Sequence, residues 1–128
     1  AERRLAAAAG RHPKNASIRL LLGYLYLARG DLGMAEVSCR EADRLEPDDP
    51  AILTALAVVR YRLGRNDEAL GLLRRASSFS GAPPETFYNL AVVAARTGDA
   101  ALSAWSRDAY LARDAGSPWV MQLRALVP

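Results

Sequence analysis

Three glycines, Gly30, Gly64 and Gly98, stand 34 residues apart, and the residues around them repeat at the same interval. Leu22, Leu56 and Leu90 share it, as do the small residues Gly23, Ala57 and Ala91, then Ala35, Ala69 and Ser103, and finally Pro50, Pro84 and Pro118. A fixed period of this length constrains the chain to a stack of like helix–turn–helix units, none of which buries its apolar face without a neighbour. Alanine and leucine abound while β-branched and aromatic residues are sparse, so the units are expected to be helical, with no sheet.

Taken in order, residues 1–15 read as the second helix of a partial repeat, because Ala1, Leu5, Ala8 and Pro13 match Ala35, Cys39, Ala42 and Pro47 at the common offset. The first full repeat, 16–49, opens on Asn15 as a helix cap, since its side chain accepts a bond from an orphan N–H of the first turn. Ile18, Leu21, Leu22, Leu25 and Tyr26 recur at helical spacing. Gly23 interrupts them at a cost of about 1 kcal/mol against alanine in a helix interior, which something must offset. Gly30 is suited to the positive φ of a helix end, and Asp31 to capping the next helix. The second repeat, 50–83, starts on Asp49-Pro50, with proline in the first turn, where its missing N–H does no harm. Its Leu53, Leu56, Ala57, Leu63, Ala69, Leu73 and Ala76 hold register, while Ser77 to Pro83 is expected to fray the helix end. The third repeat, 84–117, drifts in its second helix, where Ser103, Arg107 and Tyr110 replace apolar or small residues. A last helix, 118–128, reads as a C-terminal cap.

The order leucine, small residue, glycine, small residue, proline at this period resembles the tetratricopeptide repeat (TPR) family over nearly the whole chain. The resemblance implies an all-α right-handed α-solenoid in a single domain. It also implies that the first helices line a concave groove and that the small residue at Gly23, Ala57 and Ala91 lets the two helices of a repeat approach closely. On the family's groove positions stand Leu20, Tyr24 and Leu27 in the first repeat, Thr54, Val58, Tyr61 and Arg62 in the second, and Tyr88, Val92 and Arg96 in the third. Ser17, Ala28, Ala51, Glu85 and Ala95 share those positions. Tyr24, Tyr61 and Tyr88 are expected as flat contact residues, with Val59 and Leu63 serving the core beside Tyr61. Some of this stripe competes for a place in the core, because helical spacing alone does not separate core from groove. The lysine, asparagine and arginine clamp of chaperone-tail receptors is missing, since its positions hold Leu20, Tyr24, Ala55, Glu85 and Asn89.

Enzymatic chemistry finds no footing in the sequence. His12, the one histidine, sits before Pro13 at a turn with no serine, cysteine or carboxylate motif tied to it. Cys39 occupies a buried second-helix position and reads as a small hydrophobe. Asp48-Asp49 and Asp67-Glu68 fall at helix starts and read as caps, and the glycines close helices rather than cradle phosphates. No catalytic residue, metal or cofactor is expected. The formal charge of +3 is carried almost wholly by arginine, with Lys14 the sole lysine, but Arg74, Arg75 and Arg107 lie among acidic neighbours, so nucleic acid is not the expected partner. No apolar run reaches the roughly 20 residues of a membrane span.

The expected function is a non-enzymatic adaptor that holds an apolar peptide or helix of a partner protein, in a bacterium and within envelope assembly of the pilus or secretion kind. The alternatives are a spacer in a longer array, its groove filled by the same chain, and a weak nucleic-acid-binding domain. Because Ala1 is not methionine, a targeting segment or further repeats are allowed upstream, and the compartment, cytoplasmic or envelope, stays open.

Overall fold

The computed structural model describes residues 2–113, which form seven helices with no strand among them. These are α1 (Glu2–Arg11), α2 (Ala16–Arg29), α3 (Leu32–Leu45), α4 (Pro50–Arg62), α5 (Asn66–Ser77), α6 (Pro84–Arg96) and α7 (Ala100–Arg113). The expected helix at 118–128 lies outside the described residues.

Each first helix packs chiefly on the second helix of its own repeat, α2 on α3, α4 on α5 and α6 on α7. Second helices then pack on the next first helix, and the first helices also touch one another along α2, α4 and α6. The result is an all-α repeat solenoid. Its turns follow from the periodic glycines: Gly30, Gly64 and Gly98 sit at φ 78°, 82° and 85°, left-handed values that an L side chain resists. Caps follow from the polar residues beside them. Asn15 Oδ1 accepts from Ile18 N at 3.2 Å, Asp31 Oδ1 from Met34 N at 3.3 Å, Asp49 Oδ1 from Ala51 N at 2.9 Å and Asp99 Oδ1 from Leu102 N at 3.0 Å.

Inside the first repeat the helices approach so closely that a Cβ on Gly23 would lie 2.5 Å from Cys39 Sγ. This contact is what offsets the helical cost of glycine, and Cys39 behind it is fully buried. Leu22, Tyr26, Leu27, Ala35, Ala55, Leu56 and Val59 join Cys39 in one core cluster across the first two repeats. Ala57, Ala69, Leu73, Leu90 and Val93 continue it into the third. Between repeats, Arg60 of α4 lies 3.1 Å from Glu36 of α3 and 3.4 Å from Glu68 of α5, and Arg65 reaches Glu36 at 3.1 Å.

Several local expectations are corrected by the packing. Asp67 and Glu68 stand in the first turn of α5, as expected of acidic residues at a helix start, but neither is the cap residue, which is Arg65 without a side-chain bond, and Glu68 also pairs with Arg60 and Arg65. Asp48 adopts φ 64° and pairs with Arg75, leaving capping to Asp49 alone. Leu63 is not a core residue: it is the residue that ends α4 and is 37% exposed, whereas Val59 is fully buried. In the third repeat, drift is repacking. Tyr110 is 2% exposed and meets Tyr88 edge-on at 5.6 Å, and Ser103 Oγ donates to Ala91 O at 2.9 Å. Helix α5 ends at Ser77, where the hydroxyls of Ser77 and Ser78 donate to the carbonyls of Arg74 and Arg75.

Candidate partner-binding groove

The first helices stack side by side because their contact positions are small or complementary. Ala55 is buried between α2 and α4, and Thr54 Oγ1 lies 2.6 Å from Thr86 Oγ1 between α4 and α6, both hydroxyls buried. Thr54 also donates to Pro50 O at 2.7 Å, so its polar group is satisfied within the wall. On this side of the array α2, α4 and the start of α6 enclose an open pocket of about 470 Å³. Tyr24, Leu27, Ala51, Thr54, Ala55, Val58, Pro83, Glu85 and Asn89 line it.

Four of the ten residues expected on the groove, Tyr24, Leu27, Thr54 and Val58, therefore meet at one pocket. Tyr24 is 45% exposed at its mouth, and its phenol is pushed above the ordinary value by burial first, with Cys39, Glu85 and Asp49 adding to the shift. Leu27 and Thr54 belong to the floor, at 8% and 5% exposure. The other six stand elsewhere. Leu20 packs between two core clusters and borders a separate hollow formed by the turn between α1 and α2. Tyr61 is half-buried against the cluster of α5 and α6, while Tyr88 and Val92 pack around Tyr110. Arg62 donates to Leu27 O at 2.8 Å and so closes the end of α2, and Arg96 is exposed at the end of α6. Pro83 is the lining residue that sequence reasoning missed. Its signal was available, because the residue before Pro84 is held extended and so brings the incoming loop alongside the first turn of α6.

The pocket supplies shape and apolar area with one carboxylate, Glu85, and one amide, Asn89, whose Nδ2 donates to Glu85 O at 2.8 Å. Among the described residues no group of His, Cys, Asp or Glu is placed to hold a metal ion. Burial pushes the Cys39 thiol up to about 11, as befits a core side chain. No described helix is long and apolar enough to cross a membrane.

A stack of helix pairs with a recessed apolar pocket between its first helices is a protein-interaction scaffold. Two family profiles, each described as Tetratricopeptide repeat, match residues 26–84 and 1–50, and the chain belongs to the tetratricopeptide repeat family. Among curated proteins it is similar to Cellulose synthase operon protein C of Pseudomonas fluorescens (strain SBW25), with 39% identity over 71 residues. That match covers 56% of this chain and 6% of the relative, so the chain spans a small part of that relative's length. Among solved structures it resembles MamA, at 18% identity and TM-score 0.80, over 95% of this chain and 71% of the other. A thermophilic TPR protein of Thermus thermophilus gives 19% and 0.80, over 97% and 68%. YrrB, described as a TPR protein with an unusual peptide-binding site, gives 15% and 0.79, over 88% and 58%. These likenesses establish the fold. The repeat is in general a non-catalytic protein-interaction fold, and this curated relative is bacterial.

Proposed function

We propose that this chain is a scaffold whose first-helix pocket receives an apolar side chain from a peptide or amphipathic helix of a partner protein. The observation that carries the reading is the pocket of about 470 Å³ between three helices, with Tyr24 exposed at its mouth. An exposed tyrosine beside recessed apolar surface is the usual composition of an interface anchor point. Glu85 at the rim favours a basic residue next to the inserted side chain. The setting we propose is a bacterial assembly, of the pilus or secretion kind or one associated with the operon for which the curated relative is named.

The test is to place a photoreactive phenylalanine analogue at Tyr24, identify the crosslinked protein and titrate it calorimetrically against the wild type and Val58→Glu. Val58 is half-buried in the pocket wall, so the carboxylate should abolish insertion while the melt moves by only a few degrees. Unchanged affinity in a folded Val58→Glu protein overturns the proposal. Binding through apolar contact should also change little between low and high salt, in contrast to the steep loss expected of phosphate contacts.

A second reading, a stretch within a longer array, is favoured by a difference in burial between equivalent positions. Ile52, Ala55 and Val59 of α4 are buried against the preceding first helix, whereas Ile18 and Leu25 of α2 are only half-buried and Leu21 is 51% exposed. Extending the chain upstream should bury Leu21 and raise the melting temperature. An unchanged melt counts against this reading.

A further inference from the structure

The opposite side of the array carries three equivalent grooves, each between successive second helices with a first helix as its floor. The groove between α3 and α5 has Leu53 and Leu56 buried in its floor and is bridged by Arg60 to Glu36 and Glu68. On the α7 side of the groove between α5 and α7, buried Phe87 meets Trp105 at a ring separation of 6.0 Å and lies 4.1 Å under the Arg113 guanidinium. The groove between α1 and α3 is open. It encloses about 480 Å³, walled by Ala6, Ala9 and Gly10 on one side and by Met34 and Val37 on the other.

Its floor breaks the repeat. The position held by buried Leu53 and Phe87 in the later repeats is Arg19 here, and the Arg19 Nε–H is buried with no acceptor. A buried donor left without an acceptor destabilises the fold, so an arginine in place of a core leucine is a local departure of the kind found at functional sites. Met34 and Val37 at the rim are 43% and 58% exposed, whereas the next groove holds Glu68 and Gly71 at the same positions and the last one Leu102 and Trp105, of which Trp105 is 54% exposed but packs against Phe87. The one carboxylate in the lining, Glu41, is hydrogen-bonded by Arg44 at 3.1 and 2.5 Å, and Arg44 first, with the charge of Arg19 adding to it, holds its pKa below the ordinary value; Glu41 makes no hydrogen bond to the Arg19 Nε–H.

We infer that the groove between α1 and α3 is a second docking site, separate from the first-helix pocket, for an acidic amphipathic segment of a protein partner. An apolar side chain of leucine or methionine size fills the space between Ala6, Ala9 and Val37, and an adjoining carboxylate accepts the Arg19 Nε–H. The complementarity selects acid over base: a lysine in the same place would face the Arg19 guanidinium, whose Nε–H needs an acceptor.

The probes are three helical peptides of equal leucine content whose polar positions are glutamate, glutamine or lysine, titrated into the chain while backbone amide shifts are followed. The glutamate peptide should bind at least roughly tenfold more tightly than the other two, the scale of one charge-assisted bond left unmade. Its shifts should centre on Ala6, Ala9, Val37 and Ser38. Arg19→Leu installs the residue that the later register uses, so it should fold at least as well and lose that preference. Ala6→Leu fills the groove from the exposed side of α1 and should block binding with Arg19 intact; it decides the matter if Arg19→Leu fails to fold. The inference is overturned by equal affinity for the three peptides, by no binding, or by shifts that fall on Tyr24 and Val58 instead. It is equally overturned if an oligonucleotide, or a second copy of the chain at raised protein concentration, moves the α1 and α3 amides and the glutamate peptide does not.

Discussion

Replacing Gly23 by alanine sets two opposing effects against each other, and the geometry says which prevails. Alanine in a helix interior is favoured over glycine by about 1 kcal/mol. The added Cβ, however, would lie 2.5 Å from Cys39 Sγ, closer than real methyl groups approach, and Cys39 is fully buried, so its sulfur has no free rotamer to take. Overpacking of a dense core costs about 1–3 kcal/mol, so Gly23→Ala should lower stability by up to roughly 2 kcal/mol after the propensity gain is subtracted. The assay is urea unfolding followed by circular dichroism on four proteins: wild type, Gly23→Ala, Cys39→Ala and the double variant. Cys39→Ala alone leaves a cavity and should cost about 1–2 kcal/mol. In the double variant the new methyl occupies the space vacated by the sulfur, so its loss should fall short of the sum by at least about 1 kcal/mol, the coupling expected of residues in contact. If Gly23→Ala alone is more stable than wild type, or if the two changes add without coupling, the close approach does not govern this position.

Tyr61→Ala should destabilise the fold by about 1–3 kcal/mol, because Tyr61 packs against the α5 and α6 cluster, while Tyr24→Ala at the exposed pocket mouth should cost under about 1 kcal/mol; paired thermal melts compare them. Cys39 should resist a thiol-specific reagent at pH 8 in the native protein and react fully in urea, since burial both hides the thiol and raises it to about 11; fast native labelling would show that the helix pair opens. Glu2 is held below its ordinary carboxyl value by bonds from Arg29 and Tyr26, so its folded pKa is the lower one. The stability it adds is present above 4.5 and fades as pH falls through the folded value, and Glu2→Gln should flatten that acid limb of a melt-versus-pH series.

The periodic part of the structure was legible because the residues that set it act locally. A glycine at a left-handed φ and an aspartate whose carboxylate meets an N–H three residues on need only a few neighbours to be right, so Gly30, Asp31 and Asn15 could be assigned from spacing. Where local signals compete, spacing placed a residue without naming its partner. The acidic pair Asp67-Glu68 has the composition of a helix start, but Arg60 and Arg65 offer Glu68 full opposite charges at 3.4 and 3.8 Å, a stronger attraction than orphan amides provide.

The division between core and groove was the least legible feature, and helix α2 shows why. Leu20, Leu21, Leu22, Tyr24, Leu25, Tyr26 and Leu27 leave almost no polar face, so apolar periodicity does not say which side meets protein and which meets solvent. The structure separates them through the identity of the neighbours. Leu22, Tyr26 and Leu27 are buried because α1, α3 and α4 close over them, whereas Tyr24 on the same helix stays 45% exposed beside Leu27. The three groove tyrosines diverge for the same reason. Tyr61 and Tyr88 each have a partner within the array, an apolar cluster for one and Tyr110 for the other, while Tyr24 looks across the start of α6 toward Glu85. In a repeat protein, equivalence by register fixes where a side chain stands, but the residue one repeat further along decides whether it is covered. The useful sequence comparison therefore runs between repeats rather than along one helix: Arg19 against Leu53 and Phe87 was already visible as a break in the 34-residue pattern, and it marks the open groove between α1 and α3.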